Sequence, residues 1–170
     1  TVPGIKVDKG TLALAGAEKP AAPLPIIDTH QHLWDLTVVD LPWVKGSDLF
    51  HRSYVTKDYL AAVAGLNVVK AIYMEVACPP ELFDTEADYV IGLCRRGDVP
   101  TRAAVIGGRP GDDGFRRYIT RFQGSPYVKG VREILQLPKG KDTLAITKPF
   151  VEGLRLLGKL GMCFDLCIPA

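Results

Sequence analysis

Five short apolar runs recur at intervals of roughly 30 residues, each separated from the next by a stretch with helix signals, and that rhythm leaves few folds open. The runs begin at Ile26, Val68, Thr101, Tyr127 and Met162. Thr56 is placed to cap a helix through Ala64 that Gly65 ends. Asp84 or Thr85 starts a second helix, with Glu86 and Asp88 in its first turn and Arg95 and Arg96 ahead of Gly97, the charge order the helix dipole favours. Phe115 to Phe122 reads as a short third helix, and Thr147 and Pro149 open a fourth that buries Phe150, Leu154 and Leu157 and stops at Gly161. Strand alternating with helix predicts an α/β fold of parallel strands joined by crossover helices.

Two architectures have that rhythm. A (β/α)8 TIM barrel typically needs about 250 residues, whereas an open doubly wound sheet of five strands fits the 170 residues here. Two features favour the barrel. The chain closes on an apolar strand, Met162 to Ile168, with no helix after it to cover it, and the turn after the first strand lacks the Gly-rich phosphate loop of a nucleotide-binding sheet. The expectation is about the first five strands and four helices of a (β/α)8 barrel over residues 25–170. Residues 1–24 differ in texture: Thr11 to Ala17 is apolar and rich in small residues, and Glu18 to Pro23 is linker-like, so this arm reads as a linker or an export-signal remnant. Localisation is left open by the sequence: cytoplasmic, or exported if the arm is such a remnant.

Composition narrows the function classes. With 47% hydrophobic and 24% charged residues the balance is that of an ordinary globular domain, and no apolar run is long enough to span a bilayer. A net charge of +2 with scattered Lys and Arg offers no basic stripe for nucleic acid. Cys163 and Cys167 fall on one strand roughly 13 Å apart, too far to bridge, and no Cys-x-x-Cys occurs, so the four cysteines are expected to be buried free thiols.

Chemistry concentrates at the end of the first strand, Ile26-Ile27-Asp28-Thr29-His30-Gln31-His32-Leu33-Trp34. Alternation along a strand puts Asp28, His30 and His32 on one face, and two imidazoles two residues apart can grip one metal ion or one anionic substrate. Two of the three histidines in the chain lie here; the third, His51, sits in the long aromatic connection from Trp34 to Val55, which reads as a wall of the site.

That first-strand motif resembles the amidohydrolase superfamily, specifically the amidohydrolase-2 family of sugar-lactonase-like (β/α)8 hydrolases. Phe50 to Tyr54, Ala71 to Val76, Val105 to Gly108 and Lys129 to Arg132 extend the resemblance over residues 25–170. It implies His30 and His32 as paired metal or substrate ligands at the barrel mouth, with zinc the first choice of divalent ion and a metal-independent mechanism also open, in which the same histidines polarise the substrate carbonyl. Arg132 would orient a substrate carboxylate or stabilise an oxyanion, or else serve a salt bridge to Glu133 or Glu75. Glu75 would hydrogen-bond a substrate hydroxyl or a ligand histidine, and Trp34 would form an apolar wall for a sugar ring. The implied reaction is hydrolysis of a lactone of a sugar or carboxylic acid by an activated water. Alternatives are metal-dependent decarboxylation, or a non-catalytic half-barrel that binds a small acid or pairs with another chain as a homo-oligomer. The further histidines and the general-base aspartate that later strands supply in such barrels have no counterpart in this chain.

Overall fold

Every strand pairs in parallel with its neighbour in sequence. The computed structural model describes residues 23–135 and 143–168, so most of the arm before the first strand and most of the loop at 138–143 lie outside the described residues. The strands are β1 (Ile26–Gln31), β2 (Val68–Met74), β3 (Thr101–Gly107), β4 (Val128–Ile134) and β5 (Cys163–Cys167), in the sheet order 1-2-3-4-5. An open doubly wound sheet must reverse its strand order somewhere to create a binding crevice, and this one never does. The five strands instead form a curled half-barrel with helices between them.

Four helices follow the predicted rhythm: α1 (Thr56–Ala62), α2 (Phe83–Arg96), α3 (Phe115–Thr120) and α4 (Lys148–Lys159). In α2 the buried Ala87, Val90, Ile91 and Cys94 recur at helical spacing, and Gly97 ends the helix in the left-handed conformation (φ 74°) that its missing Cβ permits. They pack with Tyr73, Ala104 and Ile106 of the strands in one apolar core. Some helix boundaries differ from expectation, and α2 starts at Phe83, one residue ahead of Asp84. Thr56 is the first helical residue of α1 and not its cap; Asp58 reaches back to accept from Val55 N at 3.1 Å, and the helix ends at Ala62. Helix α3 stops at Thr120, whose hydroxyl donates back to Arg116 O at 2.8 Å and competes with helix continuation.

The cysteine expectation needs correcting on β5. Cys78 and Cys94 are buried free thiols, but Cys163 is exposed and Cys167 half-buried, because β5 is an edge strand with nothing beyond it among the described residues. Exposed apolar side chains gather at both edges, Ile27 and Val69 beside β1 and Leu166 and Ile168 at β5. None of the described helices is long and apolar enough to cross a membrane.

Strand β5 lies on β4 only because Gly130 has no side chain. A Cβ there would sit 2.3 Å from Cys163 Sγ and 2.6 Å from Cys163 O. Gly130→Ala is expected to pry β5 from β4, with a loss of about 1–3 kcal/mol. Hydrogen exchange at Leu135, whose amide donates to Cys167 O, reads this directly, and unchanged protection there would refute it.

Candidate active site

The end of β1 is irregular, and the irregularity shapes the site. Asp28 is the cross-strand partner of Ala71 and Gln31 that of Tyr73, with the register slipping between them. Ala71 is fully buried and Tyr73 donates to Glu86 of α2, which defines that side of the sheet as the helix-covered one. Gln31 is buried there, accepting from Thr101 Oγ1 at 2.7 Å. Asp28 is there as well: its Oδ2 accepts from the Tyr59 hydroxyl of α1 at 2.8 Å. The expectation that Asp28 shares a face with both histidines is therefore corrected. The slip inserts a residue into the alternation, leaving Asp28 against α1 while His30 and His32 turn to the other side together.

On that side the two rings converge. His30 Nε2 and His32 Nε2 are 3.1 Å apart, and the rings meet edge-on with centroids 4.9 Å apart. His32 Nδ1 lies 3.0 Å from Met74 O, a carbonyl that can only accept, so Nδ1 carries the proton and Nε2 presents a lone pair. Burial pushes the His32 pKa below the ordinary histidine value, with the charges of Arg132 and then of His30 acting the same way. A neutral imidazole with its lone pair aimed at a second imidazole is the donor chemistry of a divalent-metal site. With metal–nitrogen bonds of about 2.0–2.1 Å, nitrogens 3.1 Å apart match an edge of a tetrahedral or octahedral shell. The pair fits zinc, but no group of three or more His, Cys, Asp or Glu side chains that could complete a shell occurs among the described residues.

Arg132 and Glu75 stand beside the pair, and the structure joins them. Arg132 Nε donates to Glu75 Oε1 at 2.6 Å and Nη2 to the Glu75 carbonyl at 2.9 Å, with both side chains almost fully buried. The salt-bridge partner is thus Glu75, while Glu133 faces Arg109 at 4.0 Å. Arg132 Nη1 has no hydrogen-bond partner among the described residues and remains available to a ligand. Glu75 is fully engaged: its Oε2 accepts from Ala77 N at 2.6 Å, in a turn where Ala77 takes a positive φ of 52°. A cavity of about 130 Å³ opens against Glu75, Gly108, Arg109 and Arg132.

Trp34 is buried, its indole donating to Arg52 O at 2.7 Å, so it anchors the long connection from within. The exposed tryptophan is Trp43, nearly half exposed, which donates to Val76 O just past β2 and packs edge-on against Trp34. His51 is exposed and joins none of these contacts. Sequence reasoning missed Glu86. It is fully buried on α2 and accepts from Tyr73 Oη (2.9 Å), Val76 N (2.8 Å) and Gly107 N (3.3 Å), tying the ends of β2 and β3 to the helix. Its signal was present: Glu86 is at helical spacing from the buried Val90, on the apolar face of α2.

No family model matches the chain. The protein y4mH of Sinorhizobium fredii, itself uncharacterised, is 31% identical over 164 residues, a match taking in 84% of this chain and 53% of that protein. Among solved structures, amidohydrolase 2 from Bifidobacterium longum subsp. infantis is 26% identical with a TM-score of 0.60, over 86% of this chain and 53% of its own. An amidohydrolase from Burkholderia multivorans with bound zinc is 19% identical with a TM-score of 0.65, over 84% and 48%. A probable 2-pyrone-4,6-dicarboxylic acid hydrolase from Acinetobacter baumannii with citric acid bound is 15% identical with a TM-score of 0.54, over 82% and 48%. The last two show the shared fold.

Strand order, the paired histidines and these matches together define a half-barrel of the amidohydrolase superfamily. Amidohydrolase 2 is among the proteins this chain is similar to, and the chain spans about half the length of the relatives it matches, consistent with their N-terminal portion.

Proposed function

We propose that this chain carries the carbonyl-activating part of a hydrolase that opens a lactone of a sugar or carboxylic acid by attack of an activated water. The observation that carries the reading is the pair of Nε2 atoms 3.1 Å apart, with His32 held in one tautomer by Met74 O. A divalent ion held by His30 and His32, zinc in the first instance, would supply a water of pKa about 7 and polarise the carbonyl. The chain's own residues do the rest. His32 keeps its proton on Nδ1, away from the reacting side, and His30 closes the pair. Arg132 Nη1 receives a substrate carboxylate or the developing oxyanion, and its guanidinium is fixed by two bonds to Glu75 so that it need not reorganise. Trp43, on the same rim, offers a ring face to an apolar or sugar substrate. The 2-pyrone of the probable Acinetobacter hydrolase is a cyclic ester, which supports a lactone over an amide.

Zinc titration by calorimetry, paired with proton release from a panel of γ- and δ-lactones by a full-length protein that carries this chain, tests the reading. His30→Ala and His32→Ala are each expected to weaken zinc at least about tenfold and to abolish turnover while leaving the fold intact. Turnover that survives chelation but not His30→Ala selects the metal-free route, in which the same imidazoles polarise the carbonyl. Wild-type turnover in both variants overturns the site. A second reading, that another copy completes the sheet, is favoured by the apolar side chains at the β1 and β5 edges; a monomer by light scattering would exclude it.

A further inference from the structure

We infer that Asp28 and Tyr59 form a clamp that sets the convergence of His30 and His32 from the opposite side of the sheet, so that docking of α1 and metal binding are coupled. The inference rests on the metal reading above for its ligand, and on the apo geometry for its mechanism. Asp28 makes two bonds in two directions. Its Oδ1 accepts from the backbone N–H of His30 at 3.0 Å, closing a tight local turn within β1, and its Oδ2 accepts from the Tyr59 hydroxyl at 2.8 Å. The first bond lies inside the stretch where the β1–β2 register slips, between Asp28 and Gln31. Without that slip, regular alternation would carry Asp28 and His30 to the same face, and the Asp28 carboxylate could not reach α1 while His30 meets His32. The carboxylate therefore holds the one backbone irregularity that the histidine pair requires.

The second bond says what holds the carboxylate. No residue of α1 is buried, and Tyr59 is only half-buried, packed at the margin of the core. With so little burial of its own, α1 is held to β1 by the Tyr59 side chain, whose hydroxyl makes the bond to Asp28. Burial first, and then the Asp28 hydrogen bond, raise the Tyr59 pKa to about 12, as expected of a phenol that stays a donor. Whatever favours the paired arrangement of the histidines therefore favours a docked α1, and the converse follows by linkage.

Three variants of the full chain test this: Asp28→Ala, which removes both acceptors; Asp28→Asn, which keeps an acceptor for the His30 amide; and Tyr59→Phe, which removes only the hydroxyl. In the apo protein, long-range 15N–1H spectra of the imidazoles should show the His32 Nδ1–H tautomer and a His30 ring shifted by its hydrogen bond to His32 in wild type and Asp28→Asn, and altered ring shifts for both in Asp28→Ala. Zinc affinity should fall about 10–100-fold in Asp28→Ala and less in Tyr59→Phe. Zinc should slow amide exchange in α1 of the wild type, and that protection should vanish in Tyr59→Phe, which a merely structural tyrosine would not cause. Should Asp28→Ala fail to fold, Tyr59→Phe decides the matter through the exchange measurement. Zinc affinity unchanged by either substitution, in a protein whose affinity does depend on His30, overturns the clamp. If His30→Ala leaves zinc binding unaltered, the metal reading fails instead, and the apo ring shifts alone judge the clamp: identical shifts in wild type and Asp28→Ala refute it.

Discussion

Glu86→Ala is expected to destabilise the fold by about 3–6 kcal/mol, because it strands three donors that one buried carboxylate now satisfies. The Tyr73 hydroxyl and the amides of Val76 and Gly107 all point at it, and each unpaired buried donor costs about 1–3 kcal/mol. Against a typical total of about 5–15 kcal/mol that loss brings the domain close to unfolding at room temperature. Glu86→Gln keeps the acceptor for Tyr73 and Val76 but turns an amino group toward Gly107 N, so its loss should be smaller. Urea denaturation measures both, and a loss under about 1 kcal/mol for the alanine variant would contradict the assignment. The same residue gives the fold a pH dependence. Burial, and after it the charge of Glu75, raise the Glu86 pKa above its ordinary value, so the folded chain holds this proton more tightly than the unfolded one. Its contribution to stability is complete below the unfolded value of about 4.3 and is lost as the pH rises through the raised folded value. Wild-type stability should accordingly fall relative to Glu86→Gln across that window.

Arg132→Ala should cost about 3–5 kcal/mol, the usual consequence of leaving one member of a buried ion pair without its partner. Glu75 would then keep a buried carboxylate with only the Ala77 amide to answer it. Adding Glu75→Gln removes the stranded charge while retaining an acceptor for that amide, so the double variant should recover most of the lost stability, with a coupling of about 1–3 kcal/mol. Ligand binding should not recover with it, because the Nη1 donors are gone. The double-mutant cycle in urea, beside binding of a carboxylate-bearing lactone, separates the structural and ligand-binding roles of one guanidinium. Purely additive losses would mean that the pair contributes nothing of its own.

Much of the site's composition is legible in the chain and much of its geometry is not. His30, His32, Arg132 and Glu75 all gather at the C-terminal ends of β1, β2 and β4. Trp34 was misleading because an indole next to a site looks like a wall in sequence, whereas its N–H is taken up by Arg52 O within the core, and Trp43 holds the exposed position. Asp28 was assigned to the wrong side because period-two reasoning has no means of detecting a slipped register. Glu86 was read as a charge for the helix dipole, since its acceptor role depends on donors 10 to 21 residues away.

What the sequence by itself determined is the succession of parallel strands and crossover helices and the identity of the chemical groups at their ends. Hydrophobic period and helix signals are local, and local patterns survive in one dimension. Only the tertiary structure decided that β1 slips by a residue to bring two imidazoles together, and that Arg132 closes on Glu75 across β3 and not on Glu133. Each of these depends on partners far apart in the chain, whose meeting is set by packing and by the satisfaction of buried polar groups, and neither is written in any single segment.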